Sequence, residues 1–146
     1  MNQFDKDKPV FSISSAARML DISVHTIRMY EREGLIISYK PDNRNRLYSE
    51  NDIQRLRCLR QKIQEKKFSI NAIQAIFSLV PCWSMVNCSE NDRSNCLAFQ
   101  QAEQPCWMFK HTNNICEKMD CYECDVYRKI NCIDIKNSIK KLSVVQ

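Results

Sequence analysis

The chain has 146 residues, a formal net charge of +5, 44% hydrophobic residues, nine cysteines and a single glycine. That length holds one ordinary domain or two small ones, and no apolar run approaches a membrane span. No secretory leader is expected, because Met1–Val10 is polar and lacks an apolar centre. Residues 1–10, with Pro9 and alternating Asp and Lys, read as a flexible arm. Ile13, Ala16, Ala17 and Leu20 then recur at helical spacing and predict a short helix. Asp21-Ile22 interrupts the pattern, and Ser23 is a good N-cap for a second helix, where Val24, Ile27 and Tyr30-Glu31 continue the rhythm. His25, Thr26, Arg28 and Arg32 are left facing away from the core. Gly34 falls where that helix must end in the left-handed region. A helix-turn-helix has these parts and offers polar and basic side chains from its second helix to a major groove. An ordinary helical hairpin with a basic outer face has the same pattern.

Leu35 to Tyr39 is β-prone, Lys40 to Asn45 carries turn chemistry, and Arg46-Leu47-Tyr48 returns as a second short strand. Ser49 with Asp52 makes a near capping box for a third helix, with Asp in place of the longer Glu or Gln. Its buried stripe is Ile53, Leu56, Leu59 and Ile63; Arg55, Arg57, Arg60 and Lys62 read as a solvated surface and Cys58 as half-buried. Ser69 caps a fourth helix that turns Ile70, Ile73, Ile76, Phe77 and Val80 inward, and Pro81 closes it.

The stretch Ala16-Ala17-Arg18-Met19-Leu20, with Tyr30-Glu31-Arg32-Glu33-Gly34-Leu35-Ile36, resembles the N-terminal DNA-binding domain of the MerR family of transcription regulators, in particular its heat-shock-repressor (HspR) branch. The resemblance runs to about residue 80. It implies a winged helix-turn-helix over residues 11–80 whose wing is the hairpin after Gly34, with Asn43 at a turn where relatives often carry glycine. It further implies a homodimer on double-stranded promoter DNA, bent and untwisted for RNA polymerase, in the cytoplasm. The expected DNA contacts are Ser23, His25, Thr26, Arg28 and Tyr30 from the helix, and Lys40, Arg44, Arg46 and Tyr48 from the wing. Charge agrees: residues 1–80 carry 14 Lys/Arg against 9 Asp/Glu, so the whole formal excess lies in this half, as phosphate binding requires. The long dimerisation helix usual in the family is not evident after Pro81. Val126, Ile130, Ile133 or Ile135, Ile139 and Leu142 suggest a helix in the last residues, able either to pair subunits or to cover the segment before it.

Eight of the nine cysteines lie between residues 82 and 132. Pro81-Cys82-Trp83 recurs as Pro105-Cys106-Trp107, a pairing that looks like the cysteine-rich two-CW module of bacterial sensory proteins. Disulfide frameworks are rare in the reducing cytosol, so Cys82, Cys88, Cys96, Cys106, Cys116, Cys121, Cys124 and Cys132 read as metal ligands or redox sensors. Thiolates select iron–sulfur clusters, zinc and copper(I). An iron–sulfur cluster heads the alternatives, because the spacings are long and irregular and only Cys121 and Cys124 form a Cys-x-x-Cys pair. Structural zinc and a soft-metal or thiol sensor follow. His111 is the one histidine in this half, and all-cysteine ligation is the expectation. A segment this short also gains from a metal staple.

The reading is a mainly α chain: a flexible arm (1–10), a MerR-type winged helix-turn-helix of four helices and a two-stranded wing (11–80), a small cysteine-rich metal-stapled module (81–132) and a C-terminal helix or tail (133–146). The function expected is DNA-binding transcription regulation with a sensing centre. An architectural or excisionase-like DNA binder with purely structural zinc is one alternative. A redox or electron-transfer protein with an accessory DNA-binding domain is another. Catalysis is not expected, since neither a glycine-rich nucleotide loop nor a nucleophile–base pair is visible in the sequence.

Overall fold

A computed structural model describes residues 5–42, 45–101, 103–130, 135–137 and 139–140. Arg44 and Cys132, both named above as site residues, lie outside them, as does most of the expected C-terminal helix. The chain divides into two compact units, Met1–Phe68 and Ser69–Gln146.

In the first unit, α1 (Ile13–Leu20) and α2 (Val24–Arg32) form the helix pair, and α3 is Glu50–Gln64. Each starts on a serine whose side chain accepts a backbone N–H of the first turn: Ser12 from Ser15, Ser23 from Thr26 and Ser49 from Asp52. The Asp52 carboxylate reaches back to the Ser49 N–H at 2.9 Å, so the capping box is complete despite the shorter side chain. Asp21 ends α1 in the left-handed region at φ 53°. Gly34 does the same for α2 at φ 75°, with Leu35 N–H bonding the Tyr30 carbonyl at 2.9 Å and Gly34 N–H that of Glu31 at 3.0 Å. That is a Schellman closure, and glycine enters it without the steric cost of a Cβ. The core gathers Ala16, Leu20, Ile27, Tyr30, Leu35, Ile36, Tyr48, Ile53, Leu56 and Leu59, with α1 in contact with α2, α3 and both strands.

Strand pairing differs from expectation. The wing hairpin closes through a single antiparallel bridge, Tyr39 with Leu47. The two-stranded sheet instead pairs β1 (Phe11–Ser12) with β2 (Leu47–Tyr48), Phe11 opposite Tyr48 and Ser12 opposite Leu47. The segment before β1, expected as a flexible arm, is tied along the same edge: Val10 N–H bonds the Tyr48 carbonyl at 3.0 Å and Asn51 N–H the Lys6 carbonyl at 3.0 Å. The Asn51 amide also donates to Asp7 at 2.9 Å. These partners are some forty residues apart, beyond the reach of local pattern. Arg60 is likewise not merely solvated: its guanidinium donates to the Leu20 carbonyl, satisfying a carbonyl that the end of α1 leaves open.

The second unit opens with α4 (Ile70–Ser78), capped by Ser69. It continues through short helices α5 (Cys82–Met85), α6 (Glu90–Ser94), α7 (Leu97–Gln100) and α8 (Asp125–Arg128), with 3-10 turns at Cys106–Met108 and Ile115–Lys118. Four-residue helices have little stability of their own. An aromatic chain holds them: Phe77 to Trp107 at 5.7 Å, Trp107 edge-on to Tyr127 at 5.3 Å, and Tyr127 to Tyr122 at 6.2 Å. Trp83 meets Phe99 edge-on at 5.5 Å, the geometry that opposes ring edges to ring faces. Packing therefore groups α4 with the cysteine-bearing segments, whereas the sequence resemblance grouped it with the helix-turn-helix.

Candidate nucleic-acid interface and thiol-lined cavity

On α2 the side chains of His25 and Arg28 are exposed, Ser23 is exposed at the cap, and Thr26 is half-buried. Ser23 and Thr26 share a hydroxyl contact of 2.8 Å while Ser23 holds the Thr26 N–H, so the first turn is rigid where it would meet a groove. Arg28 and His25 lie three residues apart, neighbours on one helical face. Tyr30 and Tyr48, also expected at this surface, are core residues at 2% and 0% exposure. The reason is register: Tyr30 continues the inward rhythm of Ile27, and Tyr48 is the cross-strand partner of Phe11, turned into the core.

Glu31 links the helix to the wing. Its carboxylate accepts from Ser38 Oγ and Arg46 Nε, both at 2.5 Å, and pairs with Lys40 Nζ at 3.2 Å. Two of the expected wing cations therefore have an intramolecular partner. Lys40 nevertheless keeps 42% of its side chain exposed, and Arg46 32%, which leaves Lys40 the more open of the two. Burial pushes the Glu31 carboxyl up, but hydrogen bonds from Ser38, Arg46 and Lys40 outweigh it and hold the group below its ordinary value. Sequence reasoning missed this residue as a functional element. The signal was an acid within an otherwise apolar inward rhythm, facing a segment rich in Lys and Arg.

In the second unit seven cysteines, Cys82, Cys88, Cys96, Cys106, Cys116, Cys121 and Cys124, line one cavity of ≈ 30 Å³, with Trp83, Trp107 and His111 in the same wall. All seven are free thiols. Cys82 begins α5 and Cys124 caps α8, and these two helices touch. Cys106 begins the turn whose Trp107 packs on Tyr127 of α8. Cys121 joins them through the turn closed by Cys124 N–H on the Cys121 carbonyl at 3.2 Å. Hydrogen bonding to Cys82 is the largest influence on Cys106 and pushes its thiol far up, followed by burial and the charges of Cys82, Cys121 and Cys124. Cys82, accepting that bond, is lowered. Cys116 is pushed up to about 12 by burial, then by Cys124, Cys82, Cys96 and Cys121. Among the described residues, no three His, Cys, Asp or Glu side chains stand close enough, as placed, to hold an ion. The donor chemistry nevertheless suits a soft or borderline metal, and both tryptophans stand beside the sulfurs in the cavity wall. The repeated Pro-Cys-Trp motif is thus two walls of one cavity.

The helix pair, the wing and the charged outer face of α2 define a winged helix-turn-helix DNA-binding domain. The chain matches, over residues 11–79, the family described as MerR HTH family regulatory protein. It is similar to a Streptomyces coelicolor protein provisionally named heat shock protein HspR, with 34% identity over 77 residues, 53% of this chain and 51% of that protein. The chain thus spans about half the length of the curated relative it matches. No solved structure matches the chain. No helix of the described residues is long and apolar enough to cross a membrane.

Proposed function

We propose that the protein is a transcription regulator that binds promoter DNA through α2 and the wing and carries a cysteine-ligated centre, an iron–sulfur cluster or zinc, in its second unit. The observation that carries the DNA reading is the exposed His25–Arg28 face on a capped recognition helix, inside the stretch that matches this family. As a homodimer the protein would set two such helices on adjacent half-sites about one helical turn apart and act on RNA polymerase at the promoter. The seven thiols around one cavity support the centre. Loss or oxidation of a cluster changes charge and geometry together, which a two-state regulator can read; zinc has no redox couple and would serve as a staple or a metal signal. The test is selection of a duplex from a random pool, followed by titration at several salt concentrations. Metal and sulfide are then assayed in protein purified without oxygen. A selected site bound at least 10³-fold more tightly than scrambled DNA, with metal present, is the expected result. Absence of sequence preference would reduce the protein to an architectural binder, and absence of metal and sulfide would remove the centre.

A further inference from the structure

We infer that His111 is itself a metal ligand, its Nδ1 joining the sulfurs of Cys88, Cys96 and Cys116 in a three-thiolate, one-imidazole site for a zinc-class divalent ion. This rests on the reading of the second unit as metal-binding, and it adds a nitrogen donor and a division of the sulfurs into two sets.

The imidazole is oriented as a ligand would be. Its Nε2 lies 2.9 Å from the Cys106 carbonyl oxygen. A carbonyl can only accept, so Nε2 carries the proton, and Nδ1 is the nitrogen left to donate a lone pair to a metal. That Nδ1 stands 3.9 Å from Cys96 Sγ, in the wall of the thiol-lined cavity. Ligating histidines have this arrangement, with the far nitrogen held by a carbonyl or carboxylate and the near one free to donate. The spacing also suits the chemistry. Zinc bonds of about 2.3 Å to sulfur and 2.0–2.1 Å to nitrogen at the tetrahedral angle put the two donors about 3.6 Å apart.

The remaining sulfurs of the set are brought to the same wall by local hydrogen bonds. The Asn114 amide donates to the Asn95 carbonyl at 3.0 Å, and its oxygen accepts the Cys116 N–H at 2.9 Å. One side chain therefore clamps Cys116 to the residue preceding Cys96. Asp92 caps α6 through Ser89, the residue after Cys88, and also accepts the Ile115 N–H. The loop bearing Cys116 is thus tied at both ends of α6, whose flanks are Cys88 and Cys96. Cys82, Cys106, Cys121 and Cys124 are left as the other set, grouped by the contact of α5 with α8 and of Trp107 with Tyr127; Cys116 lies between the two, its thiol influenced by Cys124 and Cys82 before Cys96. Three thiolates with one imidazole, and four thiolates, are both zinc-type ligand sets. As placed, no three donors among the described residues are at ligation distance, so metal binding would require side-chain rotation at both sites.

The test uses full-length, reduced, metal-stripped protein titrated with Zn²⁺ against a chromogenic chelator. Wild type is expected to take up tight zinc, and both His111→Ala and Cys96→Ser to lose one equivalent or hold it at least tenfold more weakly. Wild type that takes up no zinc defeats this inference and the zinc form of the proposed centre, while its iron–sulfur form is decided separately by the metal and sulfide assay. Wild type that binds, with His111→Ala unchanged in stoichiometry and affinity, defeats this inference alone. Should the variant not fold, nitrogen NMR of wild type decides: zinc should move the Nδ1 resonance of His111 and leave Nε2 protonated. The chain's other histidine, His25, is the internal control. An unmoved Nδ1 overturns the assignment.

Discussion

Glu31 is the residue on which helix and wing depend, because one carboxylate gathers Ser38, Lys40 and Arg46 from the wing side. Replacing it by Gln keeps the shape, removes the charge and leaves two cations without their partner. The expected cost is about 1–2 kcal/mol, below that of a fully buried pair because Lys40 remains 42% exposed. The sign with pH follows from the depressed carboxyl. Its contribution is complete above the ordinary Glu value near 4.5 and is lost as pH falls through the lower folded value. Urea denaturation across pH 3–6 should show this acid-side loss in wild type and its reduction in Glu31→Gln; superimposable pH profiles would remove Glu31 from that role. Tyr48 gives the opposite case. Its hydroxyl is buried with no hydrogen-bond partner among the described residues, and the adjacent Ser38 gives its proton to Glu31. Burial, then the Glu31 charge, push the phenol far up. Tyr48→Phe should therefore be neutral or stabilising by up to about 1 kcal/mol. A loss beyond that would reveal a partner for the hydroxyl.

Among elements, the proposed DNA contacts give the recognition helix and the wing separate work. Arg28 is exposed on α2 without an intramolecular ion pair among the described residues, so Arg28→Ala should cost about 1–3 kcal/mol on the selected site and little on scrambled DNA. Lys40→Ala should weaken both duplexes alike and lower the salt slope by about one unit. Fluorescence titrations of the two variants at several salt concentrations separate these effects, and identical profiles would refute the division. The helix limits were legible in the sequence because they are local chemistry: Ser23, Gly34, Ser49 with Asp52, and Ser69 each act within a few residues. The sheet was not, because β1 pairs with a strand thirty-six residues later through two residues that carry no periodic signal. The cysteine list was legible as a donor set. Its convergence was not, since edge-on rings such as Trp107 on Tyr127 place those segments, and nothing in the spacing marked His111 as a neighbour of Cys96.

At the scale of the whole molecule, the two compact units differ in what holds them. The first has caps at every helix start and a core of long aliphatic side chains around α1. The second has the nine-residue helix α4 and otherwise relies on four- and five-residue helices, a few aromatic contacts and a wall of thiols. The proposed centre there would contribute its binding free energy directly to folding, because the unfolded segment offers no preformed site. The full chain should therefore melt in two steps. Chelation or oxidation of the thiols should lower the step belonging to Ser69–Gln146 and leave that of Met1–Phe68 in place. A fragment ending at Phe68 should keep the metal-independent step. One ending at Val80 adds α4, whose Phe77 loses Trp107 as a partner, and should gain solvent-exposed apolar surface without gaining stability. If the protein acts as the proposed homodimer, any pairing must come from residues beyond Pro81, and both fragments should then bind the selected duplex more weakly than the full chain. Calorimetry with and without chelator, followed by DNA titration of the fragments, checks each part. A single transition that moves as a whole on chelation would show that the two units fold as one, and the metal would then govern the DNA-binding half through stability alone.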